Sequence, residues 1–297
     1  MASRSWLVAG AFVVVLAGAG GGVWWQQARS AAAARAKLLS VVEVELARDP
    51  LDRGGLVQAD RDLEHLAKVD RDPELRRARA RLALALRLPD QALEALDAAA
   101  YVAAPSSEDG WLRAQALALR HAIGGRIDDA ARASKLAFED YQSTGRIEAG
   151  LLAWQCATRI GDRDQTAAVV ARLAADAPDA IETKVMQALA DFDPENEGQV
   201  ARARSLQGQG KEILELDAAL AAADALSADE TIRQRGRTTI QRVLEKVSAS
   251  QPARLAAVIA HDRTGDVAGR NAHLRWLVDN FPNDPRAETW RDLIRGQ

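Results

Sequence analysis

Turn signals at near-constant intervals limit this chain more than any other feature of its 297 residues. Gly125 and Gly161 stand 36 residues apart, and Leu88, in the turn "LRLPD", stands 37 before Gly125. Gly265 follows Gly161 by 104 residues, about three further steps of the same length. Proline follows 17 residues after three of these points, at Pro105, Pro178 and Pro282. Ahead of Pro282 the apolar residues are Leu274, Leu277, Val278 and Phe281; ahead of Pro178, at identical offsets, are Val170, Leu173, Ala174 and Ala177. Ahead of Pro105 those offsets hold Asp97, Ala100, Tyr101 and Ala104, matching in three places of four. Such spacing marks one face of an α-helix, which proline then ends by removing an N–H and crowding the preceding turn. Glycine ends the helix before it because it takes the left-handed conformation without penalty. Asp90, Asp128, Asp162 and Asp266 are placed to cap the helix that follows. A helix–turn–helix recurring at this interval is a stacked repeat, since no single pair buries its own apolar face.

Composition agrees. Alanine, leucine, arginine and glutamate dominate from Ser30 onward, and alternating runs of strand type are nearly absent. The best-formed unit is "WLRAQALALRHAIGGRIDDAARASKLAFEDY", residues 111–141, with small residues at Ala118, Gly125, Ala130 and Ala137. With its handover sequence "LVDNFPNDPRAETW", the chain resembles the tetratricopeptide-repeat (TPR) family over residues 73–180 and 252–297. Residues 181–251 keep the length of two units and lose the motif, and Trp154 and Val258 stand where Ala118 does. The expected fold is all-α: an α-solenoid of about six TPR-like hairpins over residues 73–297. Ahead of it lie a helical connector at 30–72 and a short tail with an anchor at 1–29. Leu38, Leu39, Val41, Val42 and Val44 either prolong the anchor or form the first packed helix.

Residues 6–25, "WLVAGAFVVVLAGAGGGVWW", carry no charge. Twenty helical residues span roughly 30 Å, the thickness of a bilayer's hydrocarbon core, and Trp6, Trp24 and Trp25 sit where interfacial aromatics belong. Two readings stand: a single-pass transmembrane helix, or a signal peptide cleaved after Ala19. Both place the bulk of the chain outside the cytoplasm, in the periplasm of a bacterial envelope. Gly18 and Gly22 form a GxxxG pair through which two such helices could dimerise.

Candidate chemistry is thin. The stretch 261–285 holds His261 and His273 among aspartates and arginines, but His261 stands four residues before Gly265 as His121 does before Gly125. A donor in the last turn of a helix suits both, so the stretch reads as a turn between helices, with a histidine metal or catalytic pair as the minor alternative. "SLQGQGKEIL" at 205–214 lacks the glycine and the hydroxyl residue of a phosphate loop, holding Ser205 and Glu212 there. "DFDPENEG" at 191–198 has Asn196 and Arg202 where a calcium loop needs glycine and an acid. The single Cys156 forms no intrachain disulfide and is expected to fill a helix interface. Trp111, Trp154, Trp276 and Trp290 are expected in the core.

Lysine and arginine number 39 against 42 acidic residues, a net charge of −3 with no basic stripe, which argues against nucleic acid. No catalytic, cofactor-binding or metal-binding residue is expected. The expected function is a membrane-tethered scaffold, supporting assembly or stability of an envelope complex, that holds a protein or peptide in its concave face. The alternative is a cell-envelope enzyme or its regulatory subunit carried on a helical solenoid.

Overall fold

The computed structural model describes residues 32–67, 72–102, 104 and 106–296. The expected spanning stretch at 6–25, with Gly18, Gly22 and the cleavage point after Ala19, lies outside them. Among the described residues no helix is long and apolar enough to cross a membrane.

All regular structure among the described residues is α-helical. The helices are α1 (32–46), α2 (Arg53–Ala67), α3 (Pro73–Ala85), α4 (Pro89–Val102), α5 (Ser107–Gly124), α6 (Ile127–Thr144), α7 (Ile147–Arg159) and α8 (Arg163–Asp176). After them come α9 (Ile181–Leu189), α10 (Glu197–Leu206), α11 (Leu214–Leu226), α12 (Glu230–Lys246), α13 (Gln251–Arg263), α14 (Val267–Asn280) and α15 (Ala287–Arg295). Two compact units divide them: one takes residues up to Leu88 with Glu94–Ala104, the other Pro89–Leu93 with Pro105 onward.

In the first unit Val42, Leu56, Leu63, Leu75 and Leu82 form the core, with Leu38, Leu39 and Leu46 against them. The segment at 32–46 is therefore a packed helix, while Val41 and Val44 stay exposed. In the second unit every helix from α5 to α15 packs on the next one along the chain. The first helices of successive hairpins also touch, α5 on α7, α7 on α9, α9 on α11 and α11 on α13. That is the order a solenoid requires. The row also turns back on itself, because α7 meets both α11 and α13, and Ile127 and Ile160 pack against the cluster of Leu274, Leu277, Phe281 and Trp290.

Local signals explain the ends of these helices. Gly125, Gly161 and Gly265 all have φ near 70°, and Asp162 and Asp266 cap α8 and α14 through Gln165 N (3.0 Å) and Gly269 N (2.9 Å). Asp162 N and Asp266 N donate back to the carbonyls of Ala157 and His261, five residues earlier, and Leu88 N does the same to Ala83. In that first turn, however, the left-handed residue is Arg87 (φ 62°), one position before the Leu88 expected to mark it. Two of the four expected caps are also corrected. Asp90 and Asp128 lie inside the first turns of α4 and α6, and α6 has Arg126 at its N-cap with no side-chain cap; Asp90 instead pairs with Arg120 at 3.0 Å.

The pattern before Pro105 is corrected as well. Asp97, Ala100 and Ala104 are exposed, and α4 buries Ala92, Leu93, Leu96 and Ala99 instead. The other two stretches hold, with Leu173 and Leu277 fully buried and accepting from the N–H groups of Ala177 and Phe281 at 2.8 Å. A third such ending lies in the segment that had lost the motif. Val247 N donates to Val243 O at 2.8 Å with backbone angles close to those of Ala177 and Phe281, and with no proline after it. From Leu173 to Val243 is 70 residues and from Val243 to Leu277 is 34, so the repeat runs on through 181–251. Within it α9 and α10 are short because Pro178 and Pro194 bound the first and Gly208 (φ 79°) follows the second.

Small residues set how closely the helices approach. Ala149, Ala153 and Ala157 line one buried face of α7, and Ala218, Ala221, Ala222 and Ala225 line α11. Gly236 of α12 sits against α11, where a Cβ would meet the backbone O of Ala221 at 2.8 Å and N of Ala225 at 2.9 Å. By contrast, a Cβ at Gly110 of α5 would meet nothing within 4 Å. In urea denaturation of the full chain, Gly236→Ala is expected to lose about 2 kcal/mol through forced separation of α11 and α12. Gly110→Ala is expected to gain up to about 1 kcal/mol by helix propensity.

Candidate functional site

Helix α7 has two distinct sides. The alanine face packs inward, while Glu148, Leu151, Leu152, Gln155 and Arg159 form a ladder at three- and four-residue spacing along a groove. Across the groove α5 presents Trp111, Gln115, Ala118, Leu119 and Ala122 in the same rhythm; Glu182 of α9 and Lys211 of the α10–α11 connection complete the rim. The groove encloses about 420 Å³. A second pocket of about 360 Å³ over α9, α11 and α12 shares Glu182 and Lys211 with it.

Arg159 lies at one end of this ladder with only 8% of its side chain exposed, its Nε donating to Glu215 Oε1 of α11 at 2.6 Å. Burial alone would lower the Arg159 pKa, but Glu215 beside it holds the guanidinium above its ordinary value and charged. The second carboxylate oxygen of Glu215 is buried without a hydrogen-bond partner. Next to this pair lies His121, fully buried, whose Nδ1–H donates to Arg126 O at 3.0 Å and whose Nε2 has no partner. Burial pushes the His121 pKa down; the Arg126 carbonyl opposes that and the charge of Arg159 adds to it. At the other end of the groove Trp111 is half-buried, with the Arg146 guanidinium 5.1 Å from its ring centre and Arg146 paired to Asp140 at 3.3 Å.

The remaining expected residues fall in place as follows. His261 and His273 do approach, with ring centres 5.3 Å apart. Their nitrogens are turned to other partners: His261 Nδ1 to Asp266 at 2.8 Å and His273 Nδ1 to Arg254 at 3.1 Å. An arginine only donates, so His273 Nδ1 is the acceptor there and its proton sits on Nε2. No group of three or more metal-ligating side chains occurs among the described residues. Cys156 is buried between helices, and that burial pushes its thiol up to about 12. Trp154 and Trp290 are core residues, whereas Trp276 is half-buried under Arg254. Residues 207–213 connect α10 to α11. In the acidic loop Asp193 accepts from Glu195 N at 2.9 Å, and Asn196 caps α10 through Gln199 N at 3.1 Å.

Sequence reading missed Arg159, Glu215 and Gln155. Arg159 and Glu215 are 56 residues apart, and only the return of α11 onto α7 joins them. The one local signal was a glutamine and an arginine at four-residue spacing beside an apolar stripe.

Comparison with family models, with curated proteins and with solved structures gives no match in any of the three. What is established is an all-helical protein of sequentially packed hairpins with a groove over α5, α7 and α9.

Two outcomes follow from this geometry. Arg159→Met, by leaving Glu215 charged and unpaired in the interior, is expected to cost about 3–5 kcal/mol, and the double variant Arg159→Met/Glu215→Met to recover most of it; chemical denaturation of the unaltered chain, Arg159→Met, Glu215→Met and the double variant checks the cycle. The second concerns pH. His273 is held down to about 4 by burial, then by Arg254 and His261, against an ordinary histidine value of 6.5. As pH falls through that value the unfolded chain takes up the proton before the folded one does, so stability is full above it and declines below. Thermal midpoints measured from pH 7 to pH 5 should fall, and His273→Gln should flatten the decline.

Proposed function

We propose that the chain is a membrane-tethered scaffold of TPR-like hairpins that holds a protein or peptide partner on its α5–α7–α9 face. In this reading residues 6–25 anchor it and the helical part works outside the cytoplasm, supporting the assembly or stability of an envelope complex. Its role is to hold, not to transform. The observation that carries the reading is the groove itself: a run of Trp111, Leu119, Leu151 and Leu152 interleaved with Gln115 and Gln155. Apolar walls with a few placed polar groups are how binding clefts combine affinity with orientation. Stacked helix pairs offer such surfaces along their inner helices, and tethering raises the local concentration of whatever is bound. Kinship with TPR proteins rests on the repeat spacing, on the small residues of 111–141 and on the shared endings of α8, α12 and α14.

A photo-activated cross-linking residue placed at Gln155, in full-length protein in its native membrane, tests this. Ala171, on the exposed side of α8, is the control position. Discrete adducts from position 155 that are missing from 171 are expected. Equal adducts from both, or none from 155, would refute the scaffold reading.

A further inference from the structure

Helix α1 is apolar on both sides. Leu38, Leu39, Val42 and Leu46 face the core of the first unit. On the opposite side Ala33, Lys37, Ser40, Val44 and Ala47 follow one another at three- and four-residue steps, with Ala34, Val41 and Arg48 alongside, and all eight are exposed. No carboxylate interrupts that strip; Glu43 stands on its flank. Val41, Val44 and Leu51 are 39%, 55% and 49% exposed, three of the seven large apolar side chains exposed among the described residues. The other four, Leu88, Ile123, Val267 and Leu293, are scattered along the chain. Single exposed apolar residues are ordinary, whereas a cluster marks a surface that something covers. The exposed side of α6, by contrast, carries Arg132, Lys135, Glu139 and Gln142, as a helix facing water should.

The place of this strip along the chain narrows what covers it. The uncharged stretch proposed as the anchor ends at Trp25, and only residues 26–31 separate it from α1. Even fully extended, that link holds the start of α1 within about 25 Å of the bilayer surface. A helix lying in the headgroup region presents apolar side chains with lysine or arginine beside them and few acids, which is the make-up of this strip. Lys37 and Arg48 have stems that can lie along apolar surface with the charge at the headgroups. Arg48 keeps Glu45 and Asp52 as partners at 2.9 and 3.1 Å. Three side chains are too small an area to hold a free protein on a membrane, but an anchor keeps them beside it, so weak contact suffices. A second copy fits less well, because two such strips tethered in the same sense would set lysine on lysine at the seam.

We infer that the outer strip of α1, Val41 and Val44 with Lys37 and Arg48, and Leu51 after it, rests in the headgroup region of the bilayer that holds the anchor, laying the first unit against the membrane. The inference rests on the anchor of the proposed function and goes beyond it.

Spin labelling of the full chain in mixed phosphatidylcholine and phosphatidylglycerol vesicles tests it. Cys156 is buried, which leaves an introduced cysteine as the reactive one. Nitroxides are placed singly at Val44→Cys, at Val14→Cys within the expected anchor, and at Ala171→Cys on the exposed side of α8. Relaxation by oxygen, which partitions into lipid, is compared with relaxation by a nickel chelate, which stays in water. The oxygen-to-nickel ratio at 44 should be at least fivefold above that at 171. Lys37→Glu/Val41→Asp should bring position 44 to the value at 171 while position 14 stays in lipid. A water-like ratio at 44 with 14 in lipid would overturn the inference and leave the anchor standing. That is the result if α1 continues the anchor as one straight helix, which puts Val44 about 28 Å beyond Trp25. Indifference of position 44 to the double variant would overturn it too. So would exclusion of both relaxants at 44, with spin–spin broadening that vanishes on dilution with unlabelled protein, since a second copy then covers the strip. A water-like ratio at 14 would sink the anchor, and the inference with it.

Discussion

The structure of the second unit depends on how closely neighbouring helices can approach and on the return of α7 onto α11 and α13. An α-helix with alanine at every fourth position presents a flat flank, and two such flanks bring backbones together where leucine would hold them apart. Ala149 and Ala153 of α7 cluster with Ala114 of α5 and Ala137 of α6, the alanines of α11 meet α12 and α13, and Gly236 extends the same device to α12. The return of α7 onto α11 has an electrostatic consequence. It seals Arg159 and Glu215 into one interior contact of 2.6 Å, where a charge without its partner would cost several kcal/mol. A chain that must bury that pair correctly has fewer ways to stack its hairpins wrongly.

From this closure follows the position of the groove. Because α7 uses its alanine face inward, its other side, from Glu148 to Arg159, is left to line a trough with α5. The buried end of Arg159 is held by α11, so its free donors are fixed in place and do not sway as a surface arginine would. Pre-organised donors cost less to order on binding. The same helix thus packs on one side and lines the groove on the other, and the repeat architecture supplies both from one periodic pattern.

Much of the fold was legible along the chain because its signals are local. A glycine in the left-handed conformation followed by an aspartate cap is a contact among near neighbours, and it was read correctly at Gly161 and Gly265. Where another residue does the same job the signal fades. Arg87 turns the chain at φ 62° with no glycine to announce it, and Val247 ends α12 without a proline behind it. Gly145 closes α6 as Gly125 closes α5, yet it joins two hairpins and breaks the expected spacing. The match before Pro105 misled because alanine counts as apolar on either face of a helix, and α4 turns Ala100 outward while burying Leu96. The candidate site was not legible, since Arg159, Glu215 and the α5 side of the groove meet only through tertiary return of the chain.

An open row of hairpins and a row closed by α7 on α11 and α13 differ in how they come apart. Nearest-neighbour stacking alone lets end hairpins unfold piecemeal, whereas closure ties the middle of the row to its end. Native-state hydrogen exchange of the second unit measures this directly. The account predicts that the amides of α7, α11 and α13 exchange last and together, with one shared free energy and one shared denaturant dependence. Exchange of α7 with α8 as an independent pair, at a free energy well below that of α11 and α13, would contradict it.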